Sequence, residues 1–357
     1  MPPDVVRLST DAQVLDALLR RGRLTRAGVA EEAGVSKPTA SQSVLRLLER
    51  GLVRESGRQS GGRGRNGTYC EIAPHAGLAL ALHAGPGEIV AECVDAAGEL
   101  RHRETRPVGT TMPAGELLET LVSVVAAVEA AVGVPLPARA VSVADPVDRE
   151  RRRLVHLSGS PFVIGGADLS SVVGPGGVLD NDVAWAALAE LGVGERLDSF
   201  VYVHLGVGLG AGIVDAGRLV GGARGLAGEF AYVLTVDADG RSVRLLDALG
   251  GLDLMVPGTT SLDVSRVRVA LAGSSRGAVV GALAGACASL VALLEPAAVV
   301  LGGPWGGELG LAEDLADALA DAAHAVEVQR TRVEDGPLVG VRLRAVELAR
   351  EALLAAR

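Results

Sequence analysis

At 357 residues, with 48% apolar residues and a net charge of −9, the chain holds enough material for two or three domains with sizeable cores. Its three cysteines, Cys70, Cys93 and Cys287, lie far apart with no CxxC pair, which argues against a disulfide scaffold and a thiolate zinc site. No apolar window is expected to reach the roughly 18 residues that span a membrane, and MPPDVVRLSTDAQ lacks a secretory pattern, so the expected compartment is the cytoplasm.

Charge is unevenly spread. Residues 1–67 carry twelve Lys and Arg against seven Asp and Glu, leaving the remainder at −14. Such asymmetry points to a nucleic-acid-facing end on an acidic protein. Lys37 is the one lysine, a bias that fits a GC-rich genome better than a binding role.

In chain order, DAQVLDALLRRG places Val14, Leu15, Leu18 and Leu19 on one helical face and stops at Gly22. TRAGVAEEAGV reads as a short second helix capped by Thr25. SKPTASQSVLRLLERGLV reads as a third, with Ser36 as its cap, Pro38 in the first turn, and Val44, Leu45, Leu47 and Leu48 as its buried stripe. A short helix, a glycine turn and a helix opening on small polar residues form a helix-turn-helix. GLVRESG and RQSGGRGRNGTYCEI then read as a strand, a basic wing and a second strand. Double-stranded DNA is the expected partner. The expected contacts are Thr25, Arg26, Ser36, Lys37, Thr39, Gln42 and Ser43 around the third helix, with Arg58, Arg63 and Arg65 on the wing. A trihelical module that binds no DNA is the alternative.

The stretch GVGLGAGIV, 206–214, has glycine at every second position, which weakens a strand and implies a close neighbour. It is no P-loop, since no Gly-Lys-Ser/Thr follows, and the β-rich GIVDAGRLV after it fits a Rossmann turn poorly. With VLDNDVAWAALAE before it and LEPAAVVLGG after it, the stretch resembles the ROK family of repressors and sugar kinases. The resemblance covers nearly the whole chain, and the helix-turn-helix with GGRGRNG resembles the repressor branch.

That resemblance implies an α/β fold: a winged helix-turn-helix (1–72) followed by a two-lobed, actin-like, sugar-kinase-like domain. Its first lobe would span 76–180 plus 340–357, and its second 181–339. It implies a sugar-contacting set of Asn181, Asp182, Glu229, Tyr232 and Asp247, although Asp182 could instead serve as a helix cap and Tyr232 could simply pack. His83 stands where the kinases have an acidic residue and Gly87 where they have a hydroxyl, so magnesium and phosphoryl chemistry lack a main part. Ala231 and Tyr232 replace the Gly-His pair, and no cysteine follows, so no zinc is expected. Leu245, Leu246 and Leu249 would anchor that segment by apolar burial. No catalytic residue and no cofactor are expected. The reading is a regulator, a repressor by the family's logic, that is expected to bind DNA as a homodimer or higher oligomer and to sense a carbohydrate or related metabolite. A regulator with a vestigial or non-sugar pocket, and a carbohydrate kinase, are the alternatives.

Overall fold

The computed structural model describes residues 3–58, 67–157, 160–193 and 197–355. Three helices, Pro3–Arg21, Arg26–Glu32 and Lys37–Glu49, pack against an antiparallel three-stranded sheet in the order Arg23–Thr25, Thr68–Ile72, Val53–Arg58. This is a winged helix-turn-helix. The second and third helices start where the sequence places their caps. Thr25 Oγ1 accepts from the Gly28 amide at 3.2 Å, and Ser36 Oγ from the Thr39 amide at 3.3 Å. Two expectations fail by helical geometry. Ala40, Ser43, Val44 and Leu47 follow the i, i+3, i+4, i+7 stripe and are buried, while Leu45 lies off it, 47% exposed.

The rest of the chain forms two lobes around two five-stranded sheets of the same topology. In the first, the meander Leu78–Gly85, Glu88–Asp95, Leu100–Pro107 continues beyond its first strand into two parallel strands, Arg139–Val143 and Val178–Asn181. In the second, the meander Phe200–Leu205, Leu209–Asp215, Arg218–Leu219 continues into Ala298–Gly302 and Glu327–Arg330. Central strands such as FVYVHL and AVVLG are apolar on both faces because helices cover both sides. The edge strand LRHRETRP alternates exposed with half-buried positions, and its charges, Arg101, Arg103, Glu104 and Arg106, discourage edge-to-edge pairing.

Helix Arg276–Leu294 is long and apolar enough to cross a membrane by length and composition, a window the sequence reading missed. Here Val279, Leu283, Cys287 and Val291 are buried in the second-lobe core. Leu245 and Leu249 are fully buried and Leu246 packs beside them, so the 245–250 segment is anchored by apolar burial as expected.

The last helix, Gly336–Ala355, leaves the second lobe and packs on strands Leu78–Gly85 and Arg139–Val143 of the first. It also crosses helix Asp182–Leu191 at close range. A Cβ on Gly340 would sit 1.9 Å from the Trp185 carbonyl oxygen, so only glycine fits there. Farther along, Glu92, a fully buried carboxylate in the first sheet, accepts from Arg342 Nη2 at 2.9 Å and Arg103 Nη1 at 3.1 Å. A single apolar core joins the winged helix to this lobe. Val14, Leu18, Val44 and Leu47 belong to the same buried cluster as Ala76, Ala79, Ala345 and Ala349.

Glu92→Gln removes the charge that holds two guanidinium groups on the last helix and the edge strand. It is expected to cost about 2 kcal/mol, since those groups are partly hydrated already. Urea unfolding monitored by circular dichroism checks this, and an unchanged midpoint would show the clasp to be dispensable.

Candidate ligand cleft and nucleic-acid interface

The cleft between the lobes contains two adjoining cavities that share Pro86, Ala144, Asp182, His204 and Val207. The outer one, about 110 Å³, is walled by Asp145, Ser160, Asn181, Asp182, Glu229 and Tyr232 together with the glycine hairpin. The inner one, about 680 Å³, is walled by His83, Glu88, Tyr202, Gly303, Arg332, Glu334 and Asp335.

Helix Asp182–Leu191 positions the polar wall. Its cap is Asn181, whose Oδ1 accepts from the Ala184 amide at 2.8 Å, and Asp182 opens the first turn with its Oδ1 accepting from the Val183 amide at 2.9 Å. The glycine hairpin exists to receive this helix. A Cβ on Gly210 would meet Val183 Cγ2 at 2.8 Å, and one on Gly212 would meet Ala187 Cβ at 2.5 Å. Trp305, fully buried, donates from Nε1 to the Gly206 carbonyl at 2.9 Å and fixes the turn from below.

Asp145 is a wall residue that sequence reasoning missed. It follows strand Arg139–Val143, and its Oδ2 accepts from the Val163 amide at 2.6 Å. An acid just past a buried strand, in VADPVD, was the available signal. Burial pushes the Asp145 carboxyl up to about 7, and the Asp182 and Glu229 charges add to this, against hydrogen bonds that pull it down. Burial likewise pushes Glu229 up to about 7, with Asp182 adding to it.

The two sheets place a histidine at the same point. His83 is two residues before Gly85 on the first lobe's leading strand, and His204 is two before Gly206 on the second's. Each imidazole covers its glycine: a Cβ there would lie 2.9 Å from His83 Nε2 or 2.7 Å from His204 Nε2. Burial holds both below the ordinary histidine range, and the nearby Asp182 charge opposes that. His83 Nδ1 is 2.9 Å from Ser142 Oγ, whereas His204 Nδ1 is buried with no partner among the described residues. This lining does not suit a nucleotide's phosphates: His83 stands at the first turn, and the inner cavity sets Glu88, Asp182, Glu334 and Asp335 against the single guanidinium of Arg332, an excess of negative charge. Nor do residues 233–250, which contain no His or Cys, fit zinc. Among the described residues, no three His, Cys, Asp or Glu side chains are grouped to hold a metal ion.

Of the five sugar-contact candidates, the structure brings together Asn181, Asp182, Glu229 and Tyr232. Tyr232 also packs against Arg244, whose guanidinium carbon lies 5.7 Å from the ring centroid. Asp247 is not brought to this wall. It forks with Arg244 at 2.6 and 2.9 Å and lines a neighbouring cavity, because one helical step turns Leu246 toward the cleft in its place.

On the winged helix, Ser36, Lys37 and Gln42 form an exposed face, and Thr39 is half-buried beside it. Ser43 is withdrawn from that face. Its hydroxyl donates to buried Asp11, which also accepts from Arg46 Nη2 at 2.6 Å. Thr25 is occupied as a cap, and Arg26 pairs with Glu55 at 3.0 Å. Arg58 ends its strand opposite Thr68, while Arg63 and Arg65 lie outside the described residues.

Residues 79–241 match the ROK family model, and residues 8–64 match the MarR family model. The chain carries a ROK-family domain behind a MarR-type winged helix. The ROK stretch contains the strand with His83, the Asn181–Asp182 pair, the glycine hairpin and Glu229. A "Putative xylose repressor" from Caldicellulosiruptor sp. (strain Rt8B.4) is 25% identical over 231 residues, 63% of this chain and 58% of that protein. A beta-glucoside kinase from Listeria monocytogenes serovar 1/2a (strain ATCC BAA-679 / EGD-e) is 46% identical over 59 residues. This match spans 20% of the kinase's length and 16% of this chain. Among solved structures, a ROK family transcriptional regulator, homolog of E.coli MLC protein, shares the fold at a TM-score of 0.66 and 16% identity, covering 98% of both chains. The ROK hexokinase from Thermus thermophilus reaches 0.57 at 25% identity, over 75% of this chain and 97% of its own. ROK architecture thus serves both regulators and kinases among the relatives of this chain.

The carboxyl wall carries a pH signature. Asp145 and Glu229 hold protons in the folded state up to about pH 7, well above the roughly 4 of an unfolded carboxyl. Folding is therefore favoured below that lower value, and this contribution is lost as pH rises to about 7. The double substitution Asp145→Asn and Glu229→Gln is expected to raise the melting temperature at pH 8 and to change it little at pH 4.5. Thermal melts across that range check it, and a pH-independent difference would refute the shifts.

Proposed function

We propose that the protein is a cytoplasmic DNA-binding transcription regulator, most simply a repressor, whose ROK domain binds a small carbohydrate-like effector between its lobes and performs no phosphoryl transfer. One observation carries the reading. A winged helix with Ser36, Lys37 and Gln42 exposed is joined to a kinase-like cleft whose first glycine turn presents the imidazole of His83 where the kinases carry an acid. The names of the repressor and regulator relatives support the same assignment.

The mechanism follows from the parts. Lys37 meets phosphate, the amide of Gln42 bonds an adenine edge, and the third helix presents its N-terminal turn to the backbone. Ser36 and Thr39 serve by capping that turn, and Arg58, Arg63 and Arg65 follow the adjacent groove from the wing. Asn181, Asp182 and Glu229, with Tyr232 beside them, hold the effector. The effector favours one angle between the lobes, and in a homodimer this resets the separation of the two recognition helices against half-sites one DNA turn apart. A coupling of about 1–3 kcal/mol is typical for such a device.

Footprinting on the DNA upstream of its own reading frame, with and without a sugar panel, is the deciding experiment. A protected palindromic site is expected, with protection altered by one ligand; absence of any sequence-specific protection at moderate salt would refute the regulator reading. The kinase alternative keeps Asp182 beside a glycine hairpin, and ADP release over the same panel separates the two, with none expected.

Gln42→Ala is expected to weaken operator binding by about 1–3 kcal/mol and leave random DNA unaffected. Gel-shift titrations on both sequences check it, and equal loss on both would remove Gln42 from base reading.

A further inference from the structure

We propose that the cleft selects an amino sugar: a hydroxyl-rich ring bearing an ammonium group that sits among Asp145, Asp182 and Glu229, with phosphorylated and acidic sugars rejected. This rests on reading the cleft as the effector site and goes beyond it by fixing the charge of the ligand.

The walls set that charge. Among the described residues lining the outer cavity there is no Lys or Arg, while three carboxyl groups face it. They also act on one another: Asp182 and Glu229 oppose ionisation of Asp145, and Asp182 opposes ionisation of Glu229. No cation contributes to the environment of either Asp145 or Glu229. The two imidazoles do not neutralise the wall, since burial keeps them in the uncharged form. An ammonium group offers three donors and a full positive charge, so it satisfies several carboxylate oxygens and removes their repulsion at once. A hydroxyl offers one donor and no charge. A phosphate would add like charge to a low-dielectric site, and the inner cavity, with its own excess of carboxylates, gives it no refuge.

A second feature points independently to a polar ligand with several groups. His204 lines both cavities, and its buried Nδ1 has no partner among the described residues, a costly state for a polar atom beside the cleft.

Isothermal titration of the full chain, near neutral pH, tests the idea. The panel is glucose, N-acetylglucosamine, glucosamine 6-phosphate, and the glucose analogues with an amine at carbon 2, 3 or 6. One amine-bearing sugar is expected to bind at least roughly tenfold more tightly than glucose, with no measurable binding of the phosphate. Glu229→Gln and, separately, Asp145→Asn should narrow that ratio toward one, each variant's fold being verified by circular dichroism. Equal or tighter binding of glucose or N-acetylglucosamine, binding of the phosphate, or no heat from any amine overturns the proposal. Release of operator DNA by a neutral sugar would leave the regulator reading standing while this inference falls. Loss of operator binding itself would remove the reading on which it rests.

Discussion

The close crossing of helices Asp182–Leu191 and Gly336–Ala355 is the constraint on which the rest of the ROK domain depends. Gly340 lets the backbone of the last helix approach the Trp185 carbonyl, and Gly336 passes less closely by Ala186, whose Cβ would lie 3.0 Å from an added Cβ. On its opposite side, the same short helix presses Val183 and Ala187 into the side-chain-free face of the glycine hairpin. It is therefore gripped from two directions by places where no Cβ exists. That grip sets where its first turn points, and its first turn carries Asp182. At the other end, Glu190 accepts from Thr331 Oγ1 at 2.7 Å and ties the helix to the segment leading into the last one. Position in the cleft is thus fixed by small residues, while chemistry is supplied by the few polar residues they aim.

The electrostatics of the cleft follow from what those polar residues lack. A buried carboxylate is tolerable when a cation or several hydrogen bonds accompany it, as Glu92 shows with its two arginines. Asp145 and Glu229 have no such cation among the described residues, and burial keeps protons on them up to about pH 7. The molecule therefore contains a carboxylate arranged for permanence and others left incomplete. Incomplete groups at a cleft wall are what a site presents to something that will complete them.

Much of this fold was legible in the sequence. Helix caps at Thr25 and Ser36 and the two strands that flank the wing follow from local signals, while the return of the last helix to the first lobe follows from the family resemblance. Sites were harder. Ser43 was assigned to DNA because it is small, polar and near the helix start; only the 3.6-residue period, applied strictly, turns it inward to Asp11. Asp247 was placed by alignment through a segment without distinguishing residues, and one helical step moved it to the wrong wall. Asp145 escaped notice because a lone aspartate before a proline carries no pattern until the loop bearing Val163 folds over it. The alternating glycines did announce a close neighbour, and the neighbour is the protein's own helix.

The continuous core between winged helix and first lobe has a consequence for signal transmission. Gly77, at φ 63°, brings the connecting segment so near the last helix that a Cβ there would lie 2.8 Å from the Ala349 carbonyl. Residues from the winged helix and from the lobe are buried in one cluster on either side of that junction. The winged helix is therefore packed in one piece with the first lobe, like a key and its shaft. In the regulator proposed above, a rotation of that lobe against the second would carry the third helix with it, so the angle at which that helix enters a groove would follow the closure of the cleft.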